Sequence, residues 1–308
     1  MIAVGFDTSN YTTSIAAFDG AGGENVSRLL PVKTGELGLR QSEALFSHVK
    51  RLPELSDRLF AHFRAEQIGA IGVSTRPRAV EGSYMPCFLA GESQARVLAA
   101  ALRVPLYTFS HQQGHIAAVL WSAGRLDLLG SEFLAWHLSG GTTELLLVRT
   151  TREGEIACEK LGGTTDISAG QLIDRTGQLL TMDFPAGKAL DAAASGVEKG
   201  DYFRVRVQGC EFSLSGVQNQ VQTYRQKGAD EANTAYFALR SVVEAVKKAT
   251  KNAQSAHPLP VLFSGGVASN SMLRRSLPDA IFGAPQDSTD NAMGIAVLAR
   301  LRHQFLRP

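Results

Sequence analysis

The stretch TFSHQQGHIAAVLWSA, residues 108–123, contains two of the chain's seven histidines within five positions. Ser110 is a residue type that favours helix N-caps, and Ile116, Val119 and Leu120 follow it at helical spacing. The pattern therefore predicts a helix that begins directly after the serine. The chain before this helix has the strand and helix pattern of one lobe, and the glycine turns after it indicate a second.

His111 and His115 lie four residues apart and would share one face of this helix, with Cβ atoms about 5–6 Å apart. Such a pair can bind one metal ion, and imidazole suits zinc and iron alike. The alternative is two surface or capping histidines. Gly114 costs a helix about 1 kcal/mol relative to alanine, which indicates that something packs or binds closely here. A peptidase of the H-E-x-x-H type is disfavoured, because Gln112 stands where that motif has its general-base glutamate.

The composition is that of a globular chain: 308 residues, 44% hydrophobic and 19% charged, large enough for two domains. A net charge of +2 neither requires nor excludes a nucleic-acid partner. The three cysteines form no C-x-x-C pair, which is typical of a reducing compartment. The start has no signal-peptide pattern, and no apolar run approaches the roughly 20 residues of a membrane span. We therefore expect a cytoplasmic protein without a membrane partner.

The first segment, Ile2–Phe6, is a short apolar run that predicts a buried strand, and DTSN (residues 7–10) follows it. Further strands are expected at Thr13–Phe18 and near Val26–Val32. A strand, a turn rich in acidic and hydroxyl groups, and a second strand open the proteins of the sugar-kinase, Hsp70 and actin superfamily. There the turn faces nucleotide phosphates or their metal. Ordinary hairpin chemistry also explains such a turn.

Apolar spacing places the remaining elements before the histidine helix. We expect a helix at Gln41–Arg64 with a break or kink at Pro53, a strand at Ile68–Ser74, a helix at Gly91–Leu102 and a strand at Pro105–Phe109. The loop Thr75–Gly82 carries Arg76 and Arg78, which would either bind an anion or remain solvated.

Two glycine-containing turns follow apolar strands in the second half of the chain. The strand Glu132–Leu138 ends in SGGTT (residues 139–143), and the strand Val261–Phe263 ends in SGGVASN (residues 264–270). Glycine has no Cβ, so backbone N–H groups in such turns can face a phosphate. A helix N-terminus after the second turn would add partial positive charge. We therefore expect the turns to form two jaws of one nucleotide cleft.

The other segments of this half are helices and one short strand. We expect helices at Ser168–Leu180, Val217–Gln226 and Glu231–Lys251, a strand at Ala280–Ala284, and a terminal helix at Ala292–Leu306. Asp290, shortly before the terminal helix, is either an N-cap or a third metal ligand.

Taken in order, these motifs resemble those of the TsaD/Kae family, tRNA threonylcarbamoyl-transfer proteins once classed as glycoproteases, over nearly the whole chain. HQQGH corresponds to the family's H-x-E-G-H metal helix, SGGTT to its S-G-G-H/N-T turn and SGGVASN to A-G-G-V-A-A-N. The remaining correspondences are IDR (residues 173–175) with F-D-K, PAG (185–187) with P-G-G, FSLSG (212–216) with F-S-F-S-G, and TDNAM (289–293) with T-D-N-A-A.

The resemblance implies a two-lobed α/β fold of the actin-like ATPase superfamily (sugar kinase, Hsp70 and actin) with a central cleft. The N-terminal lobe would span residues 1–108. The C-terminal lobe, with the metal and nucleotide motifs, would span residues 109–290. The terminal helix, within residues 291–308, would pack back on the N-terminal lobe.

The resemblance also implies a set of site residues, although it assigns no catalytic residue. One divalent metal, iron or zinc, would be held by His111, His115, His137 and Asp290. ATP or an AMP-containing acyl-adenylate would contact Asp7, Ser9, Leu138, Ser139, Gly140, Gly141, Thr142, Asp174, Gly187, Gly265, Gly266 and Asn270. The implied partner is tRNA, and TsaB-like or other accessory subunits are compatible with it.

The implied activity is acyl transfer, from threonylcarbamoyl-AMP to an adenosine of tRNA. Several charged residues of the family pattern are replaced here, by Tyr11, Thr12, Gln113, Ile167, Gln171 and Gln218. None of these residues is an anion at neutral pH. We therefore expect the protein to keep nucleotide and metal binding, while threonylcarbamoyl transfer to tRNA is weak or absent. The alternative function is a diverged paralogue that binds ATP and metal as a partner or regulatory subunit. Metalloprotease is the least favoured function.

Overall fold

The computed structural model describes residues 1–9, 12–31, 39–150, 155–287 and 291–306. The strands are β1 (Ile2–Ser9), β2 (Thr12–Phe18), β3 (Gly23–Leu29), β4 (Ile68–Arg76), β5 (Leu106–Ser110), β6 (Glu132–Leu138), β7 (Thr143–Thr150), β8 (Ile156–Thr164), β9 (Val207–Gln208), β10 (Glu211–Phe212), β11 (Val261–Ser264) and β12 (Ile281–Phe282). The helices are α1 (Gln41–Phe60), α2 (Phe88–Leu102), α3 (His111–Ser122), α4 (Ala169–Leu179), α5 (Gly187–Ala194), α6 (Ser215–Gln226), α7 (Glu231–Ala256), α8 (Ser271–Ser276) and α9 (Met293–Leu306). No helix within the described ranges is both long and apolar enough to cross a membrane.

The first sheet has the strand order β3-β2-β1-β4-β5. β1 is antiparallel to β2 and parallel to β4, which is in turn parallel to β5. Side chains alternate along β1, so Val4 and Phe6 pack with apolar residues of α1 and α2 while Gly5 faces α9. Every residue of β1 is therefore buried. The parallel pairing also brings the carboxyl ends of β1, β4 and β5 to one edge of the sheet.

The second sheet has the order β12-β11-β6-β7-β8-β10-β9. β6 is antiparallel to β7 and parallel to β11, so the strands that precede the two glycine turns are neighbours. One face of the sheet packs on α7. There the buried Trp136 ring stacks 6.4 Å from Phe263, and its Nε1 donates a 2.8 Å hydrogen bond to Thr250 Oγ1. The bond satisfies the one polar atom of a fully buried indole.

Helices α3 and α9 pack closely against each other, and each also contacts a sheet: α9 contacts the first, and α3 contacts both. A Cβ at Gly294 of α9 would overlap the carbonyl oxygen of Gly114, and a Cβ at Gly114 would lie 2.8 Å from Ile295 Cδ1. The close packing expected at Gly114 is thus confirmed, and α9 is what packs there. Glycine at both positions lets the two backbones touch.

Most predicted elements are present, with differences at their ends. β1 continues to Ser9, because its last residues keep pairing with β2. α1 runs through Pro53 without ending and stops at Phe60, short of the predicted end at Arg64. Strand β8 and helix α5 were missed by the sequence reasoning, since charged residues interrupt the first and the second is short. The predicted lobe division after residue 108 stays a prediction, and β5 crosses it.

Replacing Gly294 with alanine should destabilise the protein by about 1–3 kcal/mol or more, because the added methyl group overlaps the backbone of α3. Urea denaturation of wild type and variant measures the effect. The matched control is Gly216→Ala, at a helical glycine whose added Cβ has no neighbour within 4 Å. That variant should be neutral or more stable by up to about 1 kcal/mol. Equal stability of the two variants would contradict the packing argument.

Candidate active site

The two histidines of α3 meet at the N-terminal end of the helix. Ser110 caps this end, since its Oγ accepts a hydrogen bond from Gln113 N and Gln113 Oε1 accepts one from Ser110 N at 2.8 Å. One helical turn then separates His111 from His115. Their Nε2 atoms lie 2.8 Å apart, and the His115 side chain is almost fully buried. The four-residue spacing therefore brings the two rings together, with their Nε2 atoms within hydrogen-bond distance of each other.

Asp7, at the end of β1, holds the first of these histidines. Its carboxylate oxygens lie 3.0 and 3.1 Å from His111 Nδ1, and the hydroxyl of Ser74 in β4 donates to the same carboxylate. A buried carboxylate at this position favours a proton on Nδ1, which leaves the Nε2 lone pair facing His115. This carboxylate–histidine arrangement is typical of metal ligands and their supporting residues. Asp7 therefore contacts His111 of the histidine pair, and it is not among the residues that line the cleft.

His137, in β6, lies on the other side of His115. The ring centroids of the two are 4.9 Å apart, and His137 Nδ1 is 3.4 Å from Ser264 Oγ. Within the described residues, no three His, Cys, Asp or Glu side chains converge closely enough to hold a metal ion. Asp290, the predicted ligand before the terminal helix, lies outside the described residues.

The turn between β6 and β7 leaves backbone N–H groups available to a ligand. Ser139 Oγ accepts from Thr142 N at 3.1 Å, and Ser139 N donates to Thr142 O at 2.8 Å, which closes the turn. The N–H groups of Gly140 and Gly141 make no hydrogen bond to any described residue, and a Cβ on either would meet no atom within 4 Å. Both glycines line a cavity. They therefore have the free donors and open approach that an anion requires.

The second glycine turn lies beside the first, on the same sheet. Gly265 has φ +89°, and a Cβ there would overlap the carbonyl oxygen of Leu138. Because β6 and β11 are parallel neighbours, their carboxyl ends meet at one edge. The expectation of two jaws was therefore wrong: the two turns lie side by side, and Gly265 and Gly266 are not among the residues that line the cavity beside the first turn.

The opposite wall comes from the loop between β4 and α2. The cavity between the walls has a volume of about 540 Å³, within the usual range for small-ligand sites. It is lined by Ser9, Pro77, Arg78, Gly82, Ser83, Tyr84, Met85, Phe88, His111, Gln112, His137, Ser139, Gly140, Gly141, Thr142, Gln171, Asp174, Arg175 and Phe184. Ser9 Oγ is buried there without a hydrogen-bond partner among the described residues.

Two predicted nucleotide residues have structural roles as well. Asp174 lines the cavity, and its carboxylate accepts a 2.9 Å hydrogen bond from Ala186 N, directly before Gly187 and α5. Burial raises the pKa of Asp174. The Asn270 side chain caps α8 by accepting from Leu273 N, and it donates to Asp191 at 2.8 Å. Asn270 and Gly187 lie outside the residues that line the cavity.

Comparison with known proteins identifies the family. The family model described as "TsaD: tRNA N6-adenosine threonylcarbamoyltransferase" matches residues 35–297. The chain belongs to the TsaD family. A relative from Carboxydothermus hydrogenoformans named tRNA N6-adenosine threonylcarbamoyltransferase is 32% identical over 275 residues, which cover 83% of this chain and 78% of the relative. The resemblance seen in the motifs is confirmed.

Solved structures agree on the fold. Full-length HypF in its phosphate- and nucleotide-bound form aligns with a TM-score of 0.63 and 13% identity, over 100% of this chain and 47% of HypF. Component A of (R)-2-hydroxyglutaryl-CoA dehydratase from Acidaminococcus fermentans aligns with a TM-score of 0.58 and 15% identity over 100% of both chains. Both are actin-like ATPase folds, so the predicted fold class is confirmed.

Two departures from the TsaD family pattern have a structural explanation. Gln113 and Gln171 stand where the family has glutamate, and each is the third helical residue of a capping box, with Ser110 and Ser168 as the N-caps. Gln113 Nε2 also donates a 2.6 Å hydrogen bond to Ile156 O, which a carboxylate could not do. Gln113 therefore stabilises the start of α3 and contacts β8. Among the remaining replacements, Tyr11 lies outside the described residues, and Thr12 is buried at the start of β2.

Sequence reasoning missed one buried polar group near the site, His48 of α1. It is completely buried, and its Nδ1 lies 2.8 Å from Thr13 Oγ1 in β2. Burial lowers the pKa of His48 to about 4, although the negative charge of Asp7 acts in the opposite direction. A histidine at helical spacing among Ala44, Leu52 and Leu55 on an apolar face was the available signal.

We expect the double variant His111→Ala/His115→Ala to lose bound divalent metal while it keeps the fold. Elemental analysis of the purified proteins measures the metal, and circular dichroism the fold. Asp7→Asn should lower metal affinity by about 10- to 100-fold, since it removes the carboxylate that orients His111. His62→Ala, at an exposed histidine paired with Glu24, is the control and should bind like wild type. If wild type binds no metal at all, the histidine pair is structural.

His48 should make the free energy of unfolding depend on pH. The folded state binds no proton at His48 between about pH 4 and 6.5, whereas the unfolded state does, so stability rises with pH across this window. Acidification from pH 7 to 4 should therefore cost up to about 3 kcal/mol through this group. Denaturation at several pH values should show a flatter dependence for His48→Gln. An unchanged slope in that variant would show that other groups produce the effect.

Proposed function

We propose that this TsaD family member transfers a threonylcarbamoyl group from threonylcarbamoyl-AMP to N6 of an adenosine in tRNA. The adenosine nitrogen attacks the carbamoyl carbon, the bond from that carbon to the phosphate oxygen breaks, AMP leaves and the nitrogen loses a proton. The observation that carries the proposal is the single cavity shared by the Gly140–Thr142 turn and His111, in a chain of this family.

The chain's residues supply the positioning that such a transfer requires. The free N–H groups of Gly140 and Gly141 would bind the phosphate, and Asp174 would accept from the ribose hydroxyls. ATP would bind in the same place, with its adenosine toward Gly187 and Asn270. Preorganised backbone donors stabilise negative charge effectively because they need no rearrangement during the reaction.

His111 and His115 are donor types that a divalent metal accepts. Their Nε2 atoms lie 2.8 Å apart, and Asp7 holds the first ring in the tautomer that a metal ligand requires. A metal would also need Asp290, which lies outside the described residues, since no third described side chain converges on the pair. We propose that His111 and His115 bind iron or zinc, with Asp290 and His137 completing the set. The metal would polarise the carbamoyl oxygen and so favour attack on its carbon.

The second candidate function is a paralogue that binds ATP and metal as a partner or regulatory subunit. Tyr11 and Thr12 favour it, because both stand where the family has carboxylates near the reacting group. The capping roles of Gln113 and Gln171 weaken it, since glutamine there has a structural task. We therefore place transfer first.

The proposal also concerns partners, location and lobes. The family's members are tRNA N6-adenosine threonylcarbamoyltransferases, and a tRNA-modifying role for this chain would fit a cytoplasmic location. A TsaB-like accessory subunit remains a proposal. We further propose residues 1–108 as the N-terminal lobe, together with α9, and residues 109–290 as the C-terminal lobe.

A reconstituted assay with synthetic threonylcarbamoyl-AMP and tRNA tests the function, with mass spectrometry of the nucleosides as the readout. Transfer that requires His111 and His115 is expected. Because Tyr11 and Thr12 replace carboxylates, the rate should rise in the double variant Tyr11→Asp/Thr12→Glu. Gln113→Glu is the control and should bring no gain, since it loses the hydrogen bond to Ile156. Binding of AMP without transfer, in wild type and the double variant alike, would favour the paralogue.

A further inference from the structure

The loop between β4 and α2, residues 77–87, contains a cationic side chain, that of Arg78, which extends across the cleft. Pro77 O accepts a 3.0 Å hydrogen bond from Gln112 N, which ties the loop to the first turn of the histidine helix. Arg78 N donates to Ser83 Oγ at 3.0 Å, which closes the loop on itself. From this fixed backbone, Arg78 reaches the other sheet, where its Nη2 lies 3.2 Å from Glu144 Oε1.

Glu144 is an unusual partner because it is nearly buried, with 7% of its side chain exposed. A buried carboxylate is stable only if it is paired. Glu144 has a second cation, since Lys160 Nζ lies 3.3 Å from the same Oε1 atom. Two cations share one carboxylate, so the three side chains together have a net positive charge. Arg78 is 44% exposed and lines the cavity, which directs part of this charge toward a ligand.

The position of Glu144 locates Arg78 relative to the reaction. Glu144 is the cross-strand partner of His137, so the two Cβ atoms lie about 4.5–5.5 Å apart on one face of the sheet. It also follows the phosphate-facing turn by two residues. Arg78 also lines the same cavity as Gly140, Gly141 and the histidines His111 and His137. A ligand with its phosphate on the turn and its reacting carbon near the histidines would share this cavity with the guanidinium.

We propose that Arg78 binds the carboxylate of the acyl group and so determines the substrate class: acyl-adenylates that carry a free carboxylate. The assignment rests on the proposed function, in which the transferred group contains an amino acid. The turn already supplies donors for the phosphate. Arg78 pairs with a carboxylate in this structure, and the planar guanidinium can hold a second one with its remaining N–H groups.

Three probes test the proposal by calorimetry: AMP, a hydrolysis-resistant analogue of threonylcarbamoyl-AMP with its free carboxylate, and the methyl ester of that analogue. Wild type should bind the acid about 10- to 100-fold more tightly than the ester, as expected for a charge-assisted hydrogen bond. Arg78→Gln should abolish this preference and leave AMP affinity within about threefold. Glu144 keeps Lys160 as a partner in that variant, so the fold should persist.

Arg76→Gln is the matched control, because Arg76 is an exposed arginine at the end of β4, directly before the loop, and does not line the cavity. It should keep the wild-type preference. Equal binding of acid and ester by wild type would overturn the proposal. So would an equal loss of AMP and acid affinity in Arg78→Gln, which would make Arg78 a phosphate ligand, or a loss of preference in Arg76→Gln.

The outcomes separate this proposal from the proposed function. A wild-type protein that transfers threonylcarbamoyl to tRNA but binds acid and ester equally refutes the role of Arg78 alone. If wild type prefers the acid and this preference depends on Arg78, but nothing is transferred to tRNA, only the proposed transferase function is refuted. Absence of binding for all three probes refutes both.

Discussion

The backbone contact between α3 and α9 at Gly114 and Gly294 is the constraint on which the cleft depends. α9 lies on the first sheet and α3 contacts both, so this contact sets how closely the histidine helix approaches β1. Because no side chain separates the helices, the start of α3 lies beside the carboxyl end of β1. Asp7 can then reach His111 within 3.0 Å. The position of the histidine pair is thus a consequence of close helix packing, which is possible only because both contact residues are glycine.

Charge is segregated along the cleft. The Asp7 carboxylate contacts His111, and its negative charge favours binding of a cation beside the histidines. Arg78 and Arg175 line the cavity itself, together with Asp174, whose pKa is raised by burial. An anionic ligand and a metal can therefore occupy adjacent positions, each facing charge of opposite sign. Residues in or next to both sheets contribute to this arrangement, so ligand binding depends on how the two sheets are held together.

Several residues that replace charged residues of the family pattern have local structural roles in this fold. Gln113 and Gln171 lack the charge of glutamate but keep an oxygen that accepts from the N-cap backbone, so both helices still begin correctly. Arg175 donates a 2.7 Å hydrogen bond to Gln218, where the family pattern has lysine. An arginine beside a lysine would repel it, whereas glutamine accepts a hydrogen bond. These changes adjust local structure, and they say little about catalysis.

The sequence alone determined the histidine helix, its serine cap, the glycine turns and the positions of most strands along the chain, because each depends on neighbours within a few residues of the chain. Tertiary structure decided the rest. Residues about 104 positions apart, Asp7 and His111, meet only after two sheets and two helices pack. The same holds for Arg78 and Glu144, and for the two glycine turns, which sequence spacing placed on opposite walls. Parallel pairing of β6 with β11 put them side by side, and no local pattern encodes which strands become neighbours.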